Sequence, residues 1–372
     1  MAETNNPLAA SPPIPAVSKT TLPIAGLLVD VYGLAELPAT ATSITCLWLH
    51  HPRLCRKEDM ASIANEMLST FNASSSSSSS PSSASASTPT ATSTPTPTSA
   101  RGLIAVAFDQ RNHGSRLVDK VANEAWRQGN PTHAQDMFGM VSGTVVDTMH
   151  LLDVLEGYLF GAGGGPGASP AGTDRQINSH LVLGVSMGGH SVWQLLFAEP
   201  RVTAGVAVIG CPDFMNMTQD RARLSKLQTF TVDGGLSFMG SKDFPRALIG
   251  ACKKYDPKGI LFGTDEISTQ PSGPEQDRLR AILDSRIRGK RFQILSGGAD
   301  KLVPYHTGQQ FLDFFKSAIG GWYKDGHVYV EDRVFPGVGH EFNPEMRQAA
   351  VRFVLDTINS LDVSGHVASP KI

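Results

Sequence analysis

Cysteine, one-sided charge and long apolar runs are what this sequence has least of. Four cysteines, Cys46, Cys55, Cys211 and Cys252, occur in 372 residues, and no two form a C-x-x-C pair. That argues against zinc ribbons and thioredoxin-like redox pairs, and leaves reduced, buried thiols as the expectation. No H-E-x-x-H occurs, and His133, His150, His180, His306, His327 and His366 share no ligand spacing, so no metal site is expected. Lys plus Arg number 32 against 34 Asp plus Glu, a formal charge of −2. Such a balance gives no basic footprint for nucleic acid. No stretch approaches the roughly 18 consecutive apolar residues of a spanning helix, so no membrane span is expected. Met1 to Thr21 has neither a basic start nor an apolar stretch. No secretory signal is expected, and the expected location is cytoplasmic.

What is present is enough apolar material for a large core, at 41% of the chain. Residues 73–100 hold no charge, aromatic or large aliphatic side chain, so nothing there offsets the entropy of ordering. Residues 161–176 read the same way, and their glycines lack the flanking strand and helix of a phosphate loop. Both are expected to be disordered surface inserts within one domain spanning 18–362, with 1–17 disordered and 363–372 flexible. Strand-like runs fall at 25–34, 43–51, 102–109, 180–186, 204–211, 291–298 and 327–335. Several are apolar almost throughout, as in strands buried on both faces of a parallel sheet. Helical spacing fills the gaps: Met137, Val141, Val145, Leu152, Leu155 and Leu159 form one stripe. Asn343, Pro344 and Glu345 mark the start of a last helix. The alternation predicts an α/β fold with a doubly wound, mostly parallel sheet. Residues 219–290 break the pattern and are expected to form a small lid-like insertion.

Chemistry is concentrated in Gly184-Val185-Ser186-Met187-Gly188. The motif follows an apolar strand and precedes a helix, so a sharp turn would expose Ser186. The backbone N–H of Met187, at the helix start, would face a nascent oxyanion. A serine needs a base, and the base an orienting carboxylate. Asp300 and His340 each lie just past a predicted strand, where open α/β sheets build their sites. The chain order is Ser186, Asp300, His340. His50, His51, His113 and His190 read as structural or pocket-wall residues.

These pieces resemble the α/β-hydrolase superfamily over roughly residues 25–360, apart from the inserts. "GVSMGG" matches the nucleophile elbow, "GGADKLVP" the acid loop and "GVGHEF" the histidine loop. "FDQRNHGSR" at 108–116 is similar to the D-x-R-x-H-G segment, with Asn112 where Gly is usual; Asn tolerates the same positive φ. The resemblance implies a serine hydrolase of the esterase, thioesterase or lipase kind, acting without a cofactor on a small-molecule acyl substrate. Ser186 would be the nucleophile, His340 the base and Asp300 the acid. Asp213 is a rival acid, because some members use that strand end. The family ends its oxyanion-hole strand His-Gly-x, where x donates an N–H. Here the strand ends His50-His51-Pro52-Arg53: aligning His50 makes the donor Pro52, which has no N–H, and aligning His51 makes it Arg53. An acyltransferase on the same triad, or a non-catalytic ligand-binding or scaffold protein, remains an alternative. Because 73–100 cannot build a core, replacing it with a short Gly/Ser loop should leave the melting temperature within a few degrees of the parent.

Overall fold

Among the described residues eight strands form one sheet, and ten α-helices cover it or its end. The computed structural model describes residues 6–8, 14–77, 101–161, 164–169 and 174–363. In chain order these are β1 (Lys19–Ile24), β2 (Leu27–Tyr32), β3 (Ser43–His50), α1 (Ala61–Ser77), β4 (Arg101–Phe108), α2 (His133–Phe160), β5 (Gln176–Val185) and α3 (Met187–Ala198). Then come β6 (Val202–Val208), α4 (Phe214–Leu224), α5 (Gln228–Thr231), α6 (Arg246–Tyr255), α7 (Pro257–Phe262) and α8 (Gly273–Arg286). The chain closes with β7 (Arg291–Gly297), α9 (His306–Gly320), β8 (Tyr329–Phe335) and α10 (Pro344–Val363).

The strand order is β1-β2-β4-β3-β5-β6-β7-β8. β2 pairs antiparallel with both its neighbours, and every other pairing is parallel. This is the doubly wound, mostly parallel α/β sheet that the alternation of strands and helices predicts. β3 pairs with both β4 and β5, so the winding reverses beside it. The crevice beyond the carboxyl ends of β3 and β5 is therefore the topological switch point, where open sheets bind ligands.

Alternate residues of each central strand enter opposite cores, as the period of two requires. Cys46, Trp48, Ile104, Val106 and Val182 face α2, α3, α8 and α9. Leu47, Leu49, Leu103, Ala105, Leu181 and Leu183 face α1 and α10. In α10 the expected N-cap is present: the Asn343 carboxamide oxygen accepts from the Met346 N–H at 2.9 Å, and Met346, Ala350, Phe353, Val354 and Ile358 are buried.

Several expectations change. The run 25–34 is not one strand. Ala25 and Gly26 turn at φ 49 and 81, a hairpin that pairs β1 with β2. β1 carries no strand signal, because its sequence, KTTLPI, is half polar and its pattern half exposed. α2 is long and apolar enough to cross a membrane by length and composition, although Asp136, Asp147, Asp153 and Glu156 break its apolar run. In the fold Val145, Leu151, Leu152, Leu155 and Leu159 are buried in the core they share with α3. Residues 219–290 divide in two. α4 and α6 build a separate apolar cluster with Met137 and Phe138 at the start of α2. Leu261, Phe262, Leu279 and Leu283 of α7 and α8 instead join the main core, so they act as sheet-covering helices.

Of the expected inserts, 78–100, 162–163 and 170–173 lie outside the described residues, as do 1–5, 9–13 and 364–372. Residues 73–77 continue α1. The described part of 161–176 is tied down: Gly167 N–H donates to the Leu159 carbonyl at 3.1 Å, and the Arg175 guanidinium donates to the carbonyls of Pro38, Ala41 and Gly167.

The largest aromatic cluster centres on Trp193 of α3, whose ring centroid lies 5.6 Å from Phe292, 5.9 Å from Phe311 and 6.0 Å from Phe315. Trp193→Ala should destabilise by about 3–5 kcal/mol, because the sheet and the α9 helix packed on this ring cannot collapse into the void. Urea unfolding followed by far-ultraviolet circular dichroism reads this directly.

Candidate active site

β5 delivers Ser186 to the switch point and α3 leaves from it. Between them Ser186 holds φ 57 and ψ −113, a left-handed conformation that costs on the order of 1–3 kcal/mol for a side chain. Neighbouring elements over-determine it. The Ser186 N–H donates to the Val208 carbonyl at 2.9 Å, and its own carbonyl accepts from His190 N–H at 3.0 Å. Two glycines let the turn close. A Cβ on Gly184 would lie 2.2 Å from the Gly188 carbonyl oxygen, and one on Gly188 would lie 2.1 Å from that of His50.

The Ser186 hydroxyl lies 2.8 Å from His340 Nε2, and His340 Nδ1 lies 2.8 Å from Asp300 Oδ2. A carboxylate opposite Nδ1 assigns the proton there, leaving Nε2 to accept from the serine hydroxyl. The other Asp300 oxygen accepts from the N–H groups of Leu302 at 2.8 Å and Val303 at 3.0 Å. Burial works to raise the Asp300 pKa, but the His340 bond and charge and these two N–H groups outweigh it, holding the carboxyl below its ordinary value. The loops carrying acid and histidine are joined: Gly298 N–H donates to the Phe335 carbonyl and Ala299 N–H to that of Val338, each at 2.8 Å. The sequence-nominated Ser186, Asp300 and His340 thus meet in one hydrogen-bonded line.

Asp213 does not join it. Its carboxylate caps α4, accepting from Asn216 N–H at 3.0 Å, and burial raises its pKa. Met187 begins α3, where the first N–H groups have no intrahelical partner. Arg53 sits in a turn closed by the Cys55 N–H on the Pro52 carbonyl at 3.3 Å, with no acceptor for its own backbone N–H among the described residues. β3 and β5 are in register at His50 and Gly184, and the His50 carbonyl faces Gly188 in the first turn of α3, so the turn that carries Arg53 leaves β3 beside the start of that helix.

The remaining histidines shape this turn. His51 Nδ1–H donates to the Pro52 carbonyl at 2.8 Å, and its Nε2 accepts from Gln110 N–H at 3.0 Å. His50 bridges Ser191 at 2.9 Å and Thr148 at 3.0 Å. Burial, with smaller charge effects, lowers the pKa of His50 to about 3 and of His51 to about 4, so both are neutral near pH 7. His190 accepts from Cys211 N–H at 2.9 Å through Nδ1. His113 closes its own turn on the Arg111 carbonyl at 3.0 Å, and Asn112 before it has φ 60. Two features had no signal in the sequence. Gln110 ties the β3 and β4 ends to Thr144 of α2 at 3.0 Å, and Arg221 of α4 donates twice to the Leu302 carbonyl, at 3.3 and 3.0 Å, beside Asp300. Among the described residues no three of His, Cys, Asp and Glu are grouped to hold a metal ion. A separate cleft of about 410 Å³ runs along α7 and α8 and contains none of the three residues of the line.

No protein-family model matches this chain, and no curated protein does. Solved structures similar to it include TT1662 from Thermus thermophilus, at 14% identity over 91% of this chain and 96% of that one, TM-score 0.47. A cold-adapted esterase from an Arctic intertidal metagenomic library gives 14% identity, 91% and 92% coverage and TM-score 0.44. Pyrococcus furiosus esterase PF2001 gives 13% identity, 94% and 91% coverage and TM-score 0.42. The fold itself is carried by the strand order and elbow described above. Because the β3 carbonyl leaves no room beside Gly188, Gly188→Ala should cost about 1–3 kcal/mol or more in chemical denaturation.

Proposed function

We propose that this chain is a serine hydrolase that cleaves a carboxylic ester or thioester through an acyl-enzyme. The observation that carries the reading is the 2.8 Å and 2.8 Å hydrogen-bonded line from Ser186 through His340 to Asp300, set at a strained elbow. In the proposed reaction Ser186 Oγ attacks the acyl carbon while its proton passes to His340 Nε2. Asp300 stays ionised, fixes the Nδ1–H tautomer and stabilises the imidazolium. The backbone N–H groups of Met187 and Arg53 receive the oxyanion. Collapse expels the alcohol or thiol, protonated by His340, and leaves the acyl group on Ser186. Water then attacks the acyl carbon with His340 as base, releasing the acid and restoring the serine.

Each role has its own test. A fluorophosphonate should label Ser186 in the wild-type protein, located by peptide mapping, and Ser186→Ala should take no label while keeping its melting temperature. His340→Ala should slow labelling severely at the same position. Several probe sizes guard against a narrow mouth; a folded protein that none of them labels would overturn the hydrolase reading.

The acid is tested separately. Asp300→Asn should lower kcat on a short-chain ester by about 10⁴, through the wrong histidine tautomer. Asp213→Asn should leave kcat within a few-fold, since asparagine also caps a helix. The reverse order of effects would move the acid to Asp213.

A further inference from the structure

Two arginines beside the proposed triad, one on the β3 turn and one reaching the acid loop from α4, lack a carboxylate partner among the described residues. The Arg53 guanidinium donates through one Nη to the Asn123 carbonyl. Arg221 reaches across from α4, donating to the Leu302 carbonyl with its remaining Nη against Met137 Sδ at 2.8 Å. Met137 lies one turn into α2, whose next turn packs Met140 and Val141 on Met187. The side chains therefore come from the β3 turn and the excursion after β6; Arg221 rests on the acid loop at Leu302, two residues from Asp300, and the charge of Arg53 reaches it. Among the described residues neither guanidinium makes an ion pair. The acids whose fields reach them are Glu124 for Arg53, and Asp220 and Asp300 for Arg221. Asp220 is taken by Arg223 at 2.6 Å, and Asp300 by His340 at 2.8 Å. Glu124 stays outside ion-pair distance of Arg53.

Two ring nitrogens of the surroundings have no partner among the described residues. His190 uses Nδ1 on Cys211, 2.9 Å from its N–H and 3.3 Å from its carbonyl, and has Nε2 left. That Nε2 is buried and unpartnered, as is the indole Nε1 of Trp126. Trp126 stands edge-on to His133, its ring centroid 5.0 Å away. Both arginines act on His133, and Arg221 acts on His190. Burial, and then repulsion from Arg53, lowers the Arg221 pKa to about 10, which still leaves it charged near pH 7. Like charges held partly out of water without a counter-ion are costly, and a planar fork is the geometry that grips a carboxylate or phosphate.

We infer that Arg53 and Arg221 form a receptor for an anionic group of the substrate, so that the ester or thioester cleaved here carries a carboxylate or phosphate. This inference rests on the hydrolase reading for its location and goes beyond it in naming the substrate's charge. The anion belongs either to the acyl half or to the leaving half, and the two are separable.

The test compares matched substrates with the full chain. Monoethyl adipate against ethyl hexanoate places a carboxylate on the acyl side. Hexanoyl-coenzyme A against S-ethyl hexanethioate places phosphates on the leaving side. In at least one pair the anionic member should have a kcat/KM about tenfold or more above its neutral mate, carried mainly by KM. Arg221→Gln and Arg53→Gln should each reduce that ratio about tenfold, Arg221→Lys should retain part of it, and 0.5 M salt should weaken it. A purely structural role would move melting temperature and both members of a pair alike, leaving the ratio unchanged. Equal rates within both pairs, or a ratio that survives both glutamine variants, would overturn the inference. Should those variants fail to fold, protection of Ser186 from the fluorophosphonate by adipate, and none by 1,6-hexanediol, reads the same receptor in the wild-type protein; equal protection by the two would also overturn it. Calorimetric binding of monoethyl adipate to Ser186→Ala needs no turnover. Failure of the anion receptor and failure of the hydrolase reading therefore give different results.

Discussion

The closeness of two backbones at the end of the sheet governs the rest of this molecule. The last carbonyl of β3 comes so near the first turn of α3 that a single methyl group at Gly188 would lie 2.1 Å from it. That contact is possible only because β3 and β5 are adjacent, parallel and in register to their ends. It forces the chain through Ser186 at φ 57, and it sets the turn after β3 beside the helix start. The strain at one residue, on the order of 1–3 kcal/mol, is small against the burial of a whole sheet on both faces. The sheet tolerates it, and the same rigidity holds the hydroxyl where His340 reaches it.

Charge is distributed around this turn by burial. His50, His51, His133 and His190 are all pushed well below the usual imidazole range by loss of water, to about 3 or 4. They serve as neutral hydrogen-bonding struts. His340 has another kind of partner: an ionised carboxylate, itself held by two backbone N–H groups, stands at its Nδ1. Burial lowers the Arg221 pKa only to about 10, so that side chain stays charged near pH 7.

Much of this was readable in the residues. Near-continuous apolar runs identified the inner strands because a strand covered on both faces has no polar side to show. G-x-S-x-G identified the turn because its glycines are needed by contacts within a few residues. The edges were less legible. β1 is half exposed and carries Lys19, Thr20 and Thr21, so its pattern does not differ from a loop. The segment 219–290 looked uniform because charged residues face water on both the α4–α6 cluster and the sheet-covering α8. Only burial separates Leu279 and Leu283, both within 1% of full burial, from the helices around them. Arg221 had no signature at all: an arginine in "QDRARL" is an ordinary helix-surface residue until the excursion folds back and puts its guanidinium on the acid loop.

That return path explains how one scaffold divides its tasks. The elbow, acid loop and histidine loop are bound to strand ends, and their positions are fixed by the sheet. The chain between β6 and β7 is different. It leaves the sheet at Ile209, builds its own apolar cluster around Phe214, Phe238 and Phe244, and rejoins the main core only at α7. It packs against α2 and the acid loop through Arg221 on Met137 and the Leu302 carbonyl and through the Phe214 ring on Phe138, 5.0 Å between centroids, and Ser186, His340 and the Asp300 carboxylate make none of these contacts. Substitutions of Arg221 therefore alter the packing on the acid loop before they alter the bonds from Ser186 to His340 and from His340 to Asp300. The geometry of that line is set by backbone approach at strand ends, whereas α4 is held by its own apolar cluster.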